Sequence, residues 1–320
     1  MTAKAWGSQQ KPVDEFFIQN DAVSLCLLVN RRARTMRVID FRAGPTPAKR
    51  HYVLSLAERE GVEKLFTLVE RDEVATWQKL GFAKEGNIPG FYKRSDAFLL
   101  GYVGDGERGR SDDDAPNQSE TRLVAARPVG GAVAAATTPA QELMERTIAT
   151  ARKSLKDAAE RAPAASRWTA RVAAARDADV RKAVAAAVRS GRALTAFEPF
   201  GRDVERRYFV AHVRGGFELH ASIETQACFG NAYLELLQGP RTEAEKNATA
   251  AALGALCDTL LSEGIVSCFS LAPSDDVALA ATFLQNGFRR TGLLSAHMVV
   301  SSHRKDAILW SRKLANPSDE

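Results

Sequence analysis

Cysteine is scarce in this chain. Four residues in 320, Cys26, Cys228, Cys257 and Cys268, are too few and too scattered for a disulfide framework, and no Cys-x-x-Cys pair exists to hold zinc. They read as small buried hydrophobes in a reducing cytoplasm. Long apolar runs are missing too, since no window approaches the ~18 consecutive apolar residues of a membrane-spanning helix. Met1 to Phe17 shows neither the apolar core nor the small-residue cleavage site of a secretory leader, so a cytoplasmic location is expected. Charge of one sign is concentrated nowhere. With 44 basic against 39 acidic residues the net charge is +5, which suits an anionic small ligand and leaves no footprint for nucleic acid.

The chain divides where large side chains run out. Gly104 to Glu120 holds no aliphatic residue larger than alanine, and Val124 to Thr138 is mostly alanine, glycine and proline with few large side chains. Neither stretch buries enough surface to offset the entropy of ordering. Residues 105–138 are therefore expected as a disordered linker and 1–20 as a flexible amino terminus. Asp112, Asp113 and Asp114 fit solvated linker charge better than a metal cluster. The remaining pieces are a first unit at 21–104, a connecting helix at 139–163 and a second unit at 164–316.

Both units read as α/β. In the first, Ser24–Val29 and Met36–Phe41 are β-rich runs around a basic turn, Pro47–Glu60 has helical spacing, Leu65–Val69 is a strand, Glu73–Leu80 a helix and Ala97–Val103 a closing strand. In the second, Thr138 and Pro139 open a helix that runs to about Arg161 and reads as connecting or partly exposed. Asp177–Arg189 follows as a helix, then strands at Tyr208–Val213, Glu218–Thr225 and Ala232–Leu237. The chain ends with a long helix at Ala244–Glu263, a strand at Val266–Leu271, a helix at Asp276–Gln285 and a strand within Asp306–Leu314.

The halves repeat one another. Glu60-Gly-Val-Glu-Lys-Leu-Phe-Thr-Leu68 matches Glu263-Gly-Ile-Val-Ser-Cys-Phe-Ser-Leu271, with Gly, Phe, a hydroxyl residue and Leu at identical spacing. Gly81-Phe82 answers Gly287-Phe288, and Asp96-Ala97 answers Asp306-Ala307. Three matches in one order indicate two copies of a helix–strand–helix–strand unit. The expected fold class is thus α/β with a mixed sheet, in two similar units joined by a flexible linker and a helix.

This order of elements resembles the GNAT N-acetyltransferase superfamily, and the whole chain is similar to β-lysine acetyltransferases, in which an incomplete GNAT-like unit precedes a complete one. The residues carrying the likeness are Lys64–Val69, Leu80-Gly-Phe82, Ile88-Pro-Gly-Phe-Tyr92 and Asp96-Ala97 in the first half. In the second half they are Thr282-Phe283, Gly287-Phe288 and Ile308–Leu314. The resemblance implies transfer of an acetyl group from acetyl-CoA to an amine, either a lysine side chain or a small amine such as β-lysine.

Such a site needs backbone amides to cradle the diphosphate, a base for the ammonium group and an acid for the leaving thiolate. The resemblance assigns the cradle to the turn after the fourth strand of the second unit, with Leu236, Leu237, Arg241, Thr242, Lys246 and Asn247 as its contacts. Where the family carries Arg-Gly-x-Gly, this chain reads Glu243-Ala-Glu-Lys246, so both glycines are gone and two carboxylates stand in their place. A plain helix cap is an equal reading of Thr242–Glu245. The family's acid tyrosine falls on Phe283, and on Trp77 in the first unit, while its pantetheine-contacting asparagine falls on Ala280. Glu235, with Glu224 and His220 on the neighbouring strand, are candidate bases, and solvent-facing strand positions are the alternative. Tyr233 or Tyr208 is the candidate replacement acid. His212 and His297 read as packing or surface residues. The cluster Arg31, Arg32, Arg34 and Arg37 reads as a solvated hairpin tip or a phosphate attractor. Two functions remain open: an acyl-CoA-dependent N-acyltransferase, or a catalytically inactive module with a protein-interaction or regulatory role. A third, acyl-CoA as a sensed ligand, is weaker.

Overall fold

The computed structural model describes residues 13–92, 95–104, 137–161, 168–226 and 230–315. The expected linker at 105–136, including Asp112–Asp114, lies outside the described residues, as does Cys228. The first unit opens with a meander of β1 (Asp14–Gln19), β2 (Ser24–Asn30) and β3 (Thr35–Asp40). Part of the amino terminus expected as flexible is therefore a strand. Asp14–Gln19 pairs antiparallel with Ser24–Val29, and its alternation puts Phe16 and Ile18 against the core.

Helix α1 (Pro47–Arg59) begins where the Thr46 hydroxyl accepts the Lys49 amide and Pro47 fills the first turn. Gly61, in the left-handed region at φ +63, ends it. The unit continues through β4 (Lys64–Val69), α2 (Val74–Lys79), β5 (Ala83–Ile88) and β6 (Ala97–Val103).

The second unit contains α3 (Pro139–Arg161), β7 (Ala170–Ala174), α4 (Asp177–Arg189), β8 (Glu205–Val213), β9 (Phe217–Thr225) and β10 (Asn231–Leu236). It ends with α5 (Glu243–Ser262), β11 (Ser267–Pro273), α6 (Val277–Gln285), β12 (Arg289–Val300) and β13 (His303–Lys313). Helix α3 is more than a connector. Met144, Ile148 and Ala151 are buried in the second unit's core beside Leu279 and Ala280 of α6. Among the described residues no helix is long and apolar enough to cross a membrane.

The thirteen strands of the described residues form one mixed sheet, in the order β1-β2-β3-β4-β6-β5-β12-β13-β11-β10-β9-β8-β7. The run β2-β3-β4-β6-β5 is answered by β9-β10-β11-β13-β12, with one parallel pair in each, β3 with β4 and β10 with β11. The units meet where β5 and β12 touch at a single rung, Gly86 opposite Gly292. A Cβ on Gly292 would stand 2.6 Å from both the Gly86 Cα and the Glu85 carbonyl oxygen, so the contact needs glycine.

Pleating then sorts side chains into separate cores. Leu25, Leu27, Val53 and Trp77 belong to the core under α1 and α2, whereas Phe66, Ile88, Phe91 and Leu99 face the second unit. There they meet Phe200, Tyr233, Phe269, Leu294 and Leu309.

Gly292→Ala is expected to destabilise the protein by about 2–3 kcal/mol, because the obstructing atoms are backbone and cannot swing aside. Gly104→Ala, whose Cβ would meet nothing closer than 3.7 Å, is the control. Urea denaturation of the two variants checks this, and equal midpoints would remove the seam from the stability account.

Candidate functional site

Strand β10 carries the predicted base and acid, and alternation turns Tyr233 and Glu235 to the face that meets the first unit. Glu235 lies opposite Ser222 on β9, and Tyr233 opposite Glu224. Glu235 is 8% exposed and accepts three hydrogen bonds. Its Oε1 accepts the Thr195 hydroxyl at 2.7 Å, and its Oε2 accepts Arg206 Nη1 at 2.8 Å and the Ser222 hydroxyl at 2.9 Å. Burial raises its pKa, against the pull of Arg206 and the two hydroxyls.

Glu224 works on backbone. It accepts the Phe200 amide at 2.9 Å, the Gly201 amide at 2.6 Å and Arg206 Nη2 at 2.5 Å. Arg206 thus sits between both carboxylates and also donates to the Glu198 carbonyl at 2.7 Å. Burial opposes its charge, yet Glu235 and Glu224 outweigh that and hold it above the ordinary guanidinium value.

The candidate acid is no freer. Tyr233 stacks on Phe269 at 5.0 Å between ring centres and lies 4.7 Å from Phe200, and burial pushes its hydroxyl well above the usual range. Tyr208 packs against Phe197 instead. His220 is half-buried on β9, and burial lowers its pKa. Phe283, at the family's tyrosine position, is sealed between Trp310 and Phe288, and Ala280 is buried in the core.

The predicted cofactor contacts surround a place where β10 and β11 part. Their parallel pairing stops at Tyr233 opposite Phe269, although β10 runs on to Leu236 and β11 to Pro273. The side chain of Leu236 belongs to the core under α5. Both backbone groups of Leu237 are taken, its amide by the His220 carbonyl and its carbonyl by the Leu194 amide, each at 2.9 Å. Ala193 bridges Gln238 beside it, and a Cβ on Gly239 would touch Leu194 and Leu279 at 3.9 Å. The chain itself fills the mouth of this gap.

The turn into α5 is likewise occupied. The Thr242 hydroxyl accepts the Glu245 amide at 3.1 Å, and the Glu245 carboxylate accepts the Arg241 amide at 2.8 Å. Arg192 clamps that carboxylate at 2.8 Å. An anion therefore already sits at the helix start, and it is a side chain of the helix. Lys246 turns toward α3, with Nζ 2.6 Å from Glu243 and 3.2 Å from the Ser154 hydroxyl. Arg241 is exposed and reaches the Gly191 carbonyl at 3.4 Å, and Asn247 is half-buried in the first turn of α5.

The hairpin arginines form a latch between the units. Arg32 meets Glu198 at 3.3 Å, and Arg37 donates to the Phe200 carbonyl at 2.6 Å with its guanidinium 5.0 Å from the Phe200 ring centre. Arg31 pairs with Asp14 and Glu60, and Arg34 pairs with Glu63. From the other side Arg304 donates to Glu63 at 2.6 Å and to the Ala33 carbonyl at 2.5 Å. A cavity of about 110 Å³ remains between the units, lined by Arg37, Phe66, Thr195, Tyr233, Glu235 and His297 among others.

His297, which reads in the sequence as packing or surface, is buried there against the edge of Phe66 with Nδ1 unpartnered. Burial, aided by Lys64 and Arg304, drops its pKa to about 3. Thr195, Arg206 and His297 carry no signal in the sequence, because the contacts that give them a role, Thr195 and Arg206 with Glu235 and His297 with Phe66, join separate elements. Among the described residues no group of three metal-ligating side chains occurs, and His212 makes a surface pair with Glu218.

No family model and no curated protein sequence matches this chain. Solved N-acetyltransferase structures are similar to nearly half of it. An acetyltransferase of Sphaerobacter thermophilus is 16% identical over 45% of this chain and 94% of its own, with a TM-score of 0.36. The ribosomal-protein alanine N-acetyltransferase of Escherichia coli is 17% identical over 48% and 98%, with a TM-score of 0.36. Spermidine N-acetyltransferase of Vibrio cholerae, solved with CoA and spermine, is 12% identical over 46% and 96%, with a TM-score of 0.37.

The state of His297 sets a pH dependence. Its folded pKa lies below the ordinary 6.5, so the unfolded chain takes up a proton that the folded one refuses. Stability from this group is present above pH 6.5 and lost as pH falls toward 3. Between pH 7 and pH 5 the loss should be about 2 kcal/mol, and His297→Leu should remove it. Denaturant midpoints at the two pH values test this, and parallel losses in wild type and variant would contradict it.

Proposed function

We propose that this chain is a catalytically inactive protein built on an N-acetyltransferase-like scaffold, serving as a regulatory or protein-interaction module. The observation that carries this reading is the filled gap of the second unit. The Leu194 amide occupies the Leu237 carbonyl, and Glu245 occupies the turn where the resemblance would seat a diphosphate. A ligand arm entering there would have to expel residues 191–195 and face two carboxylates at the helix start. The engagement of Glu235 supports the same reading, since the protein's own donors take three of its roughly four acceptor sites, where a base needs a lone pair directed at the acceptor.

The acyl-CoA-dependent N-acyltransferase reading keeps one supporting observation, the parting of β10 and β11 after Tyr233. Under it the acceptor amine would approach from the inter-unit cavity, with Glu235 as base.

Isothermal calorimetry with acetyl-CoA separates the two. No binding is expected at about 1 mM ligand, a level at which even a weak site would report. One-to-one binding, together with amine acetylation that Glu235→Gln abolishes, would restore the transferase.

A further inference from the structure

The first unit has its own gap, and it is open. Strands β3 and β4 pair in parallel only as far as Val38 opposite Thr67, while β3 continues to Asp40 and β4 to Val69. This is the counterpart of the gap that residues 193–194 close in the second unit. Here a cavity of about 810 Å³ passes between the strand ends. That volume is within the roughly 300–1,000 Å³ of small-ligand sites.

Its walls have a definite chemistry. Phe41, Trp77, Phe91 and Tyr92 supply aromatic surface. Five carboxylates line it, and two of them are answered: Asp40 by Lys49, and Asp203 by Arg202 at 3.3 Å. Glu70, Asp72 and Glu73 make no ion pair among the described residues, and all three lie at one rim, between β4 and the start of α2. Two buried donors also line it, Trp77 on the side of the α1–α2 core and Arg37 on the side that meets the second unit. Trp77 is 1% exposed, and among the described residues neither its indole N–H nor the Nε of Arg37 meets an acceptor. Orphaned donors in a buried wall call for an acceptor, and unanswered carboxylates beside aromatic rings favour an ammonium group.

We infer that the gap between β3 and β4 binds a small amphoteric ligand, its carboxylate or carbonyl toward the Trp77 indole and its ammonium group toward Glu70, Asp72 and Glu73. The ligand is bound and not chemically changed. The inference concerns the first unit and stands apart from the reading of the second, so acetyl-CoA binding there would leave it intact.

Thermal denaturation of the full chain with three probes tests it: 5-aminopentanoate, which carries both groups, cadaverine, which carries only ammonium, and pentanoate, which carries only carboxylate. At about 10 mM, 5-aminopentanoate should raise the midpoint by roughly 2–4 °C, cadaverine by less and pentanoate not at all. Glu70→Gln/Glu73→Gln, which changes rim positions outside the core, should lower the apparent affinity for 5-aminopentanoate about tenfold or more with an unchanged ligand-free midpoint. Trp77→Phe should weaken 5-aminopentanoate and leave cadaverine unaffected. No shift with 5-aminopentanoate, an equal shift with pentanoate, or an undiminished shift in the rim variant would each overturn the assignment.

Discussion

One backbone crossing organises this molecule. Gly86 and Gly292 bring β5 and β12 close enough to bond, and that single rung turns two sheets into one. Neither unit alone could bury Phe66, Phe91, Phe200 and Phe269, which now form a shared core. The crossing also sets the distances at which polar groups reach across. Asn231 donates to the Phe91 carbonyl at 3.1 Å, the Ser295 amide to Glu85 at 3.2 Å, and Arg202 lies 2.8 Å from Glu15. Glu85 is itself paired with buried Lys64, and Gly101 on the intervening strand leaves the space that pair fills. Each contact presupposes the others. The hydrophobic seam excludes water, and exclusion of water makes the bonded partners of the buried charges necessary.

The two units share a strand order and differ beside their parallel pairs. Both retain a parallel pair that stops short, at Val38 and Thr67 in one and at Tyr233 and Phe269 in the other. In the second copy α4 and the segment after it lead the chain back across β10, where Leu194 takes the free carbonyl of Leu237. Filling the gap satisfies backbone groups and packs leucine against Leu279 near Gly239, both favourable for a folded chain. The first copy keeps exposed carboxylates and two orphaned donors around its gap. An arrangement that is locally costly persists where surrounding structure or a ligand compensates it.

Much of this was legible in the sequence. Period-2 and helical spacing located most strands and helices, and the matched Glu-Gly, Gly-Phe and Asp-Ala pairs pointed to a repeat. Strands β5 and β12 were not found. Ala83–Ile88 is polar and interrupted by Gly86, and Arg289–Val300 carries a glycine, two register shifts and a left-handed Ala296, so neither shows clean alternation. Those irregularities are the seam. The arginine run at 31–37 was visible as charge but not as a latch, because Glu198 and Phe200 are more than 160 residues distant. The carboxylates at Glu243 and Glu245 were visible as an obstacle to a diphosphate. That Glu245 would itself cap the turn, with Arg192 behind it, depended on the path of a loop that no periodicity records.

The fate of Glu235 follows from the same comparison. Its counterpart in the first unit, taken from the register that sets Arg37 opposite Phe66 as Tyr233 is set opposite Phe269, is Ile39, an apolar side chain beside an open gap. A carboxylate in that setting costs desolvation, and exchanging a buried ion pair for hydrophobic residues is often neutral or stabilising. Stability alone therefore does not account for Glu235, Arg206 and Glu224 together. What the three do is hold a loop. Glu235 holds Thr195, Glu224 holds the amides of Phe200 and Gly201, and Arg206 joins both carboxylates and the Glu198 carbonyl. That loop is continuous with Leu194, the residue that closes the gap. The carboxylate expected to act as a base is thus one of the groups that anchor the loop carrying Leu194. In the first unit, where isoleucine stands instead, no such anchor occurs among the described residues and the gap is open.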